Sequence, residues 1–219
     1  MSEIPESQIA GLAENLRQFR GKAVAKEELQ RIVESSSNFD YVNNGTECVV
    51  VSEPGRDNTV VAIDYAEYET VQAAKEIFYT QRVLSTLFPD NFPHFYTSYG
   101  REPLLAKASG KAKFSGTVRE RVIPAEPGTN AQHPFAKAKA EIRRLSLPVS
   151  FDSSPGNYML GENGGQYYVD KPQIQPGSWN REQIIGYMED RGYSDTDKRI
   201  VDLSIQRIGE LRINAYGAR

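Results

Sequence analysis

The chain has 219 residues, 39% of them hydrophobic and 25% charged, an ordinary globular composition long enough to bury the core of one domain or one two-lobed domain. Its 26 Lys and Arg against 29 Asp and Glu give a net charge of -3, so a broad basic surface for DNA or RNA is not expected. A lone cysteine, Cys48, excludes an internal disulfide or a cysteine metal cage, and the two distant histidines, His94 and His133, argue against a histidine metal site or a serine–histidine triad.

The N-terminus, MSEIPESQIAGL, lacks an apolar signal core, and no apolar run approaches membrane-spanning length. A cytoplasmic protein without a membrane partner is therefore expected. Residues 5–20 read as a helix from Ile9, Leu12, Leu16 and Phe19 at helical spacing, stopped by Gly21. Residues 25–34 read as a second helix with Leu29, Ile32 and Val33 inward. These helices pack on the domain or dock a protein partner. Three strands joined by short turns follow: Phe39–Asn43, Glu47–Ser52 and Thr59–Tyr65, an antiparallel meander. Cys48 reads as a small buried hydrophobe in the second.

A long helix spans Glu69–Leu87, broken by Pro89 and Pro93. Phe95–Tyr99 reads as a strand, residues 100–116 as an irregular loop, and Thr117–Ile123 as a further strand by alternation. Pro124–Pro134 is a linker and Phe135–Leu145 a helix. Asn157–Leu160 and Gln166–Val169 flank Glu162-Asn163-Gly164-Gly165, a hairpin signal. Residues 179–191 and 195–214 form two more helices, with Ser178 and Ser194 as N-caps. Trp179, Ile184, Ile185 and Met188 are expected to pack against Ile200, Leu203, Ile208 and Leu211. The fold class is α+β, with a β-rich half before a mostly helical one.

The segment Phe151-Asp152-Ser153-Ser154-Pro155-Gly156-Asn157 is composed of loop residues, and a plain loop is one reading of it. The hairpin that follows ends at Asp170 and can return this carboxylate to Asp152 and Asn157. One carboxylate can orient an attacking hydroxyl, while a carboxamide and a second carboxylate offer the oxygen ligands that magnesium requires.

In the order of these segments, residues 39–170 resemble the protein-kinase-like fold, nearest its aminoglycoside- and choline-type small-molecule phosphotransferase branch. The resemblance implies a two-lobed fold: two N-terminal helices over residues 1–36, a five-stranded antiparallel N-lobe with one helix over 37–125, and a reduced helical C-lobe over 126–219. It implies ATP and Mg2+ as cofactors, Asp152 as the catalytic base, and Asn157 and Asp170 as metal ligands in a cleft between the halves. Gly45 would cover the nucleotide, and Glu120–Val122 would meet adenine through their backbone.

The chain departs from that pattern where a lysine would grip the phosphates, reading Val61-Ala62-Ile63-Asp64. The helix glutamate that holds such a lysine aligns with Gln81 or Glu76, with Gln81 expected to face Asp64. The His-Arg-Asp and Asp-Phe-Gly positions read Ser150-Phe151-Asp152 and Asp170-Lys171-Pro172. Lys171 is the best placed substitute cation. Three readings stand: an atypical phosphotransferase with an unknown hydroxyl acceptor, a kinase-fold pseudoenzyme serving as a scaffold, and an unrelated α+β domain in which Asp152, Asn157 and Asp170 are loop residues.

Overall fold

The computed structural model describes residues 6–20, 22, 24–36, 38–45, 48–65, 68–96, 103–108, 111–123, 135–162 and 164–216. The chain forms two compact units, one of Met1–Lys75 with Phe95–Arg121, the other of Glu76–His94 with Val122–Arg219. It is a mixed α+β protein. Among the described residues, no helix is long and apolar enough to cross a membrane.

The first unit is built on a five-stranded sheet. Its strands are β1 (Asp40–Asn44), β2 (Cys48–Ser52), β3 (Thr59–Asp64), β4 (Leu104–Ala108) and β5 (Lys111–Glu120), in the spatial order β1-β2-β3-β5-β4 with every pair antiparallel. The first three strands form the expected meander. Period-two alternation puts Val49 and Val51, Val61 and Ile63, and Phe114 and Val118 in one core with Ile9, Leu12 and Leu16 of α1 (Glu6–Arg17) and Leu29 and Val33 of α2 (Lys26–Ser36). The two N-terminal helices therefore supply six of the 14 buried residues of this core. Gly116 permits the close approach: a Cβ there would lie 3.3 Å from Ile9 and 3.4 Å from Leu104. Cys48 is half-buried rather than buried, because it alternates with Val49 and falls on the other face of β2.

Residues 103–120 correct the sequence reading. The segment taken as an irregular loop holds β4 and most of β5, so the strand expected at Thr117–Ile123 begins at Lys111 and ends at Glu120. Phe95 makes only an isolated bridge to Arg119, and residues 97–99 of the strand expected there lie outside the described residues.

In the second unit the apolar faces of four helices and one loop segment converge. Helix α3 (Val71–Leu87) contributes Val83, Leu84 and Leu87, followed by Phe88 and Phe92. Helix α4 (Ala136–Arg144) contributes Ala138 and Ile142, α5 (Arg181–Asp190) Ile184, Tyr187 and Met188, and α6 (Asp195–Tyr216) Val201 and Ile205. Ile208 is also fully buried, but Leu203 is 49% exposed and takes no part in the expected α5–α6 packing, since it falls between the buried stripe positions Val201, Ser204, Ile205 and Ile208. Gln81 is buried, as an inward-facing position on α3 requires.

Caps follow side-chain chemistry. Ser194 accepts from the Asp197 N–H at 3.1 Å and donates to the Asp197 carboxylate at 2.7 Å, opening α6 as expected. The cap of α5 is Asn180 rather than Ser178, because only the residue immediately before Arg181 can receive the Gln183 N–H, here at 3.1 Å.

Candidate functional site

Two short ladders in the second unit carry the candidate residues. Strand β6 (Val149–Ser150) pairs with β9 (Gln173–Ile174), and β7 (Tyr158–Leu160) pairs with β8 (Gln166–Tyr168), both antiparallel. Asp152 stands two residues after β6, and Asp170 three residues before β9. Asn157 immediately precedes β7, and Asp170 follows β8 by two residues. The loop 151–157 and the loop 169–172 therefore leave the same ends of both ladders. The Val169 N–H donates to the Asn157 carbonyl at 2.9 Å, fastening one loop to the other.

The hairpin is the one expected from its Gly-Gly turn. The Gly161 N–H donates to the Gly165 carbonyl at 2.8 Å, and Gly164 takes a φ of +77°, which favours glycine. Asn163 of the turn lies outside the described residues. The hairpin is held in place by the segment after α3: the Gln166 N–H donates to the Asp90 carbonyl at 3.0 Å and the Tyr168 N–H to the Asn91 carbonyl at 2.8 Å. The Ser150 hydroxyl donates to Gln173 at 3.2 Å and accepts from Gln175 at 2.7 Å, reinforcing the other ladder.

Asp152 is exposed, and its carboxylate is held by its own loop. One oxygen accepts from the Ser154 N–H and the Ser154 hydroxyl, each at 2.9 Å. These two bonds, aided by the nearby Asn157 side chain and Ser153 N–H, hold the Asp152 carboxyl below the usual carboxylate range. The Asn157 side chain offers a carbonyl oxygen as a ligand for a hard cation. Asp170 is exposed two residues past β8, and Lys171 follows it, half-buried.

Tyr158 and Tyr168, which the sequence reading did not single out, meet this loop from the hairpin. They are directly paired across β7 and β8, with ring centroids 5.3 Å apart. The Tyr158 hydroxyl donates to the Asp152 carbonyl at 3.0 Å, and the Asp152 N–H donates to the Tyr168 oxygen at 3.3 Å. The Tyr168 hydroxyl in turn donates to the Lys171 carbonyl at 3.2 Å. Burial first, then the charge of Asp170, raises the Tyr168 phenol pKa, so it remains a donor throughout the neutral range. A signal for both tyrosines exists in the sequence: counting outward from the turn places residues 158 and 168 opposite each other at the open end of the hairpin.

The remaining candidates are spread over both units. Gly45, in the first, donates its N–H to the Cys48 carbonyl at 2.8 Å and accepts from the Tyr65 hydroxyl at 3.2 Å. A Cβ there would meet nothing nearer than 4.0 Å, so crowding does not demand glycine. Glu120 ends β5 opposite Thr59, and its charge adds to burial in raising the Tyr96 phenol. Val122 is half-buried at the start of the second unit's longer segment. Asp64 is buried at the end of β3, where the Tyr68 hydroxyl donates to it at 2.5 Å.

Among the described residues there is no group of three or more His, Cys, Asp or Glu able to hold a metal ion. A cage built from protein carboxylates alone is thus not offered, but magnesium commonly uses one or two carboxylates and takes its other ligands from phosphate and water. Asp170 and the Asn157 carbonyl oxygen are hard oxygen donors that fit this mode. The sequence matches no protein-family model and no curated protein.

Proposed function

We propose that the chain is a kinase-like phosphotransferase that uses ATP and Mg2+ to phosphorylate a hydroxyl acceptor. The observation that carries this reading is the fastening of the loop that holds Asp152 and Asn157 to the segment that holds Asp170, by the Val169 N–H on the Asn157 carbonyl and by the Tyr168 oxygen between Asp152 and Lys171. In this reading Asp152 orients the acceptor hydroxyl and receives its proton as the acceptor oxygen bonds to the γ-phosphorus of ATP and the bond from that phosphorus to the bridging oxygen breaks, with ADP leaving. Its depressed pKa keeps it ionised but makes it a weak proton acceptor, so its main contribution in this reading is to orient the hydroxyl. Asn157 and Asp170 would hold Mg2+, which when bound neutralises charge on the phosphates. Lys171 would add a cation beside them, and Gly45, Glu120 and Val122 would contribute nucleotide contacts. The chain order of three strands, a long helix and two strands supports the same kinship.

A second reading is favoured by Asp64. The β3 position at which kinases carry a phosphate-gripping lysine here holds a carboxylate that already accepts from Tyr68. That substitution favours a pseudoenzyme, a kinase-like scaffold that binds a partner without transferring phosphate. The experiment is thermal denaturation with ATP, with Mg2+ and with both, on wild type and Asp170→Asn. Ligand at about a hundred times its dissociation constant adds about 2.7 kcal/mol of stability. A shift that needs both ATP and Mg2+ and disappears in Asp170→Asn is the expected result. No shift under any condition sinks the phosphotransferase reading and leaves the scaffold.

A further inference from the structure

We propose that Tyr158 and Tyr168 are a positioning clamp for Asp152, which Tyr168 also ties to the Asp170 segment. The inference rests on the phosphotransfer reading for its purpose, but its geometry stands independently. The loop 152–156 is exposed, so water could serve its peptide groups. Instead both main-chain polar atoms of Asp152 are held by phenols: its carbonyl by Tyr158 and its N–H by Tyr168. The side chain is separately fixed by Ser154. Backbone and carboxylate are thus constrained together, which fixes the direction in which the carboxylate points.

The Tyr168 ring has little freedom to move. It is 1% exposed and packs against Phe92, Phe135 and Phe151, with ring centroids 6.2, 5.8 and 5.0 Å away. Its oxygen accepts from Asp152 and donates its single proton to the carbonyl of Lys171, the residue after Asp170. One phenol oxygen therefore bridges the two loops that carry the proposed base and the proposed metal ligand. Catalysis by positioned groups depends on such separations being held to a fraction of an ångström. A phenylalanine would fill the same space and make neither bond.

The test compares Tyr168→Phe and Tyr158→Phe with Tyr193→Phe, which removes a tyrosine hydroxyl bond to the Leu87 carbonyl elsewhere in the unit. Amide exchange at Asp152, Mn2+ broadening of the Asn157 and Asp170 signals in the presence of ATP, and the kcat and KM of ATP hydrolysis are measured. Tyr168→Phe is expected to speed Asp152 exchange about tenfold, the equivalent of one buried hydrogen bond, while Ile184 and Met188 amides are unchanged. It should also weaken the Mn2+ broadening and lower kcat about tenfold with KM for ATP little altered, the pattern of lost positioning. Tyr158→Phe should likewise lower kcat without raising KM, whereas Tyr193→Phe should lower the melting temperature and move none of these readouts. If Tyr168→Phe loses stability but leaves Asp152 exchange unchanged, the clamp is refuted. If wild type shows no Mn2+ broadening with ATP, the phosphotransfer reading fails, and the clamp is then judged by the Asp152 amide alone.

Discussion

The chain reaches Asp152 by leaving α4 through a tight reversal, and that reversal contains a correctable strain. Ser146 has a φ of 51°, the left-handed region, and is the only described residue other than glycine with positive φ. Its N–H donates to the Arg143 carbonyl at 2.9 Å, and the Leu147 N–H donates to the Ile142 carbonyl at 3.0 Å. Helix α5 ends in the same pattern, with Gly192 at φ 70° donating to Glu189 and Tyr193 to Met188, each at 3.0 Å. Left-handed backbone costs a residue with a Cβ roughly 1–2 kcal/mol. Replacing it by glycine returns about 0.4–1 kcal/mol of that through the greater freedom of the unfolded chain. Ser146→Gly should therefore stabilise by about 0.5–1 kcal/mol. Gly192→Ala should destabilise by a similar amount, about 0.5–1 kcal/mol, since a Cβ at Gly192 meets nothing within 4 Å and backbone conformation is the sole penalty. Urea denaturation at unchanged m-value measures both, and melting temperatures should move in opposite directions by about 1–4 °C. A destabilising Ser146→Gly would show that the Ser146 side chain holds the turn, and would refute the argument from φ.

Asp152 has a folded pKa below its unfolded value, so the bonds it accepts contribute stability above the unfolded pKa, and that contribution is lost as pH falls through the folded one. Ser154→Ala removes one of those bonds and Asn157→Ala a neighbouring donor group, and each should raise the Asp152 pKa toward the ordinary range, the Ser154 N–H remaining in the first case. Carbon-13 titration of the carboxyl reads it, and an unmoved pKa in both variants would mean that neither side chain bonds the carboxylate. Arg212, on α6, donates to the Glu76 carboxylate on α3 at 2.6 Å and to the Gly177 carbonyl, with both ionic side chains only about a fifth exposed at 22% and 19%. Arg212→Ala should cost about 1–3 kcal/mol, less than the 3–5 typical of breaking a fully buried pair. A double-mutant cycle with Glu76→Gln should return a coupling of at least about 0.5 kcal/mol, and a value near zero would show the ion pair to be idle.

The elements legible in the sequence were those whose pattern is local. The helices announced themselves by apolar spacing, the meander by β-branched runs, and the β7–β8 hairpin by its glycines. The β4–β5 hairpin was not legible, because Leu104-Leu105-Ala106-Lys107-Ala108 and Lys111-Ala112-Lys113 contain no β-branched residue. Its strand character comes from pairing and from α1 lying over Gly116 and Leu104, contacts that local propensity does not encode. In the candidate site the spacing of Asp152 and Asn157 and the hairpin that leads back to Asp170 were visible, but the second ladder that frames their loops was not. Strands β6 and β9 are two residues each, too short for any periodicity, and their pairing joins residues separated by more than 20 positions. The tyrosines were missed because aromatic residues in a strand read as core, and Tyr168 is indeed core; its hydroxyl alone departs from that role.

A plain loop accounts for part of this site. Asp152 with Ser154 is an ordinary aspartate turn, and Pro155–Asn157 is a single 3-10 turn after it. Such a turn does not require two buried or half-buried phenols on the Asp152 main chain, nor a bond from one of them to the segment beside Asp170. The distribution of charge bears on how such a site would work. In the phosphotransfer reading Asp64 stands at the β3 lysine position, where a phosphate about 4 Å from its carboxylate would be repelled by about 4 kcal/mol at an effective dielectric of 20, and a lysine would attract by as much. In the phosphotransfer reading the attraction must then come from elsewhere, and the oxygen ligands Asn157 and Asp170 supply it only by way of a divalent ion. Nucleotide binding by this chain would therefore be metal-dependent to a degree that a lysine-bearing kinase is not. The same arithmetic makes the fixed separation of the two loops matter more, since an ion held by two protein ligands loses its hold when either one shifts.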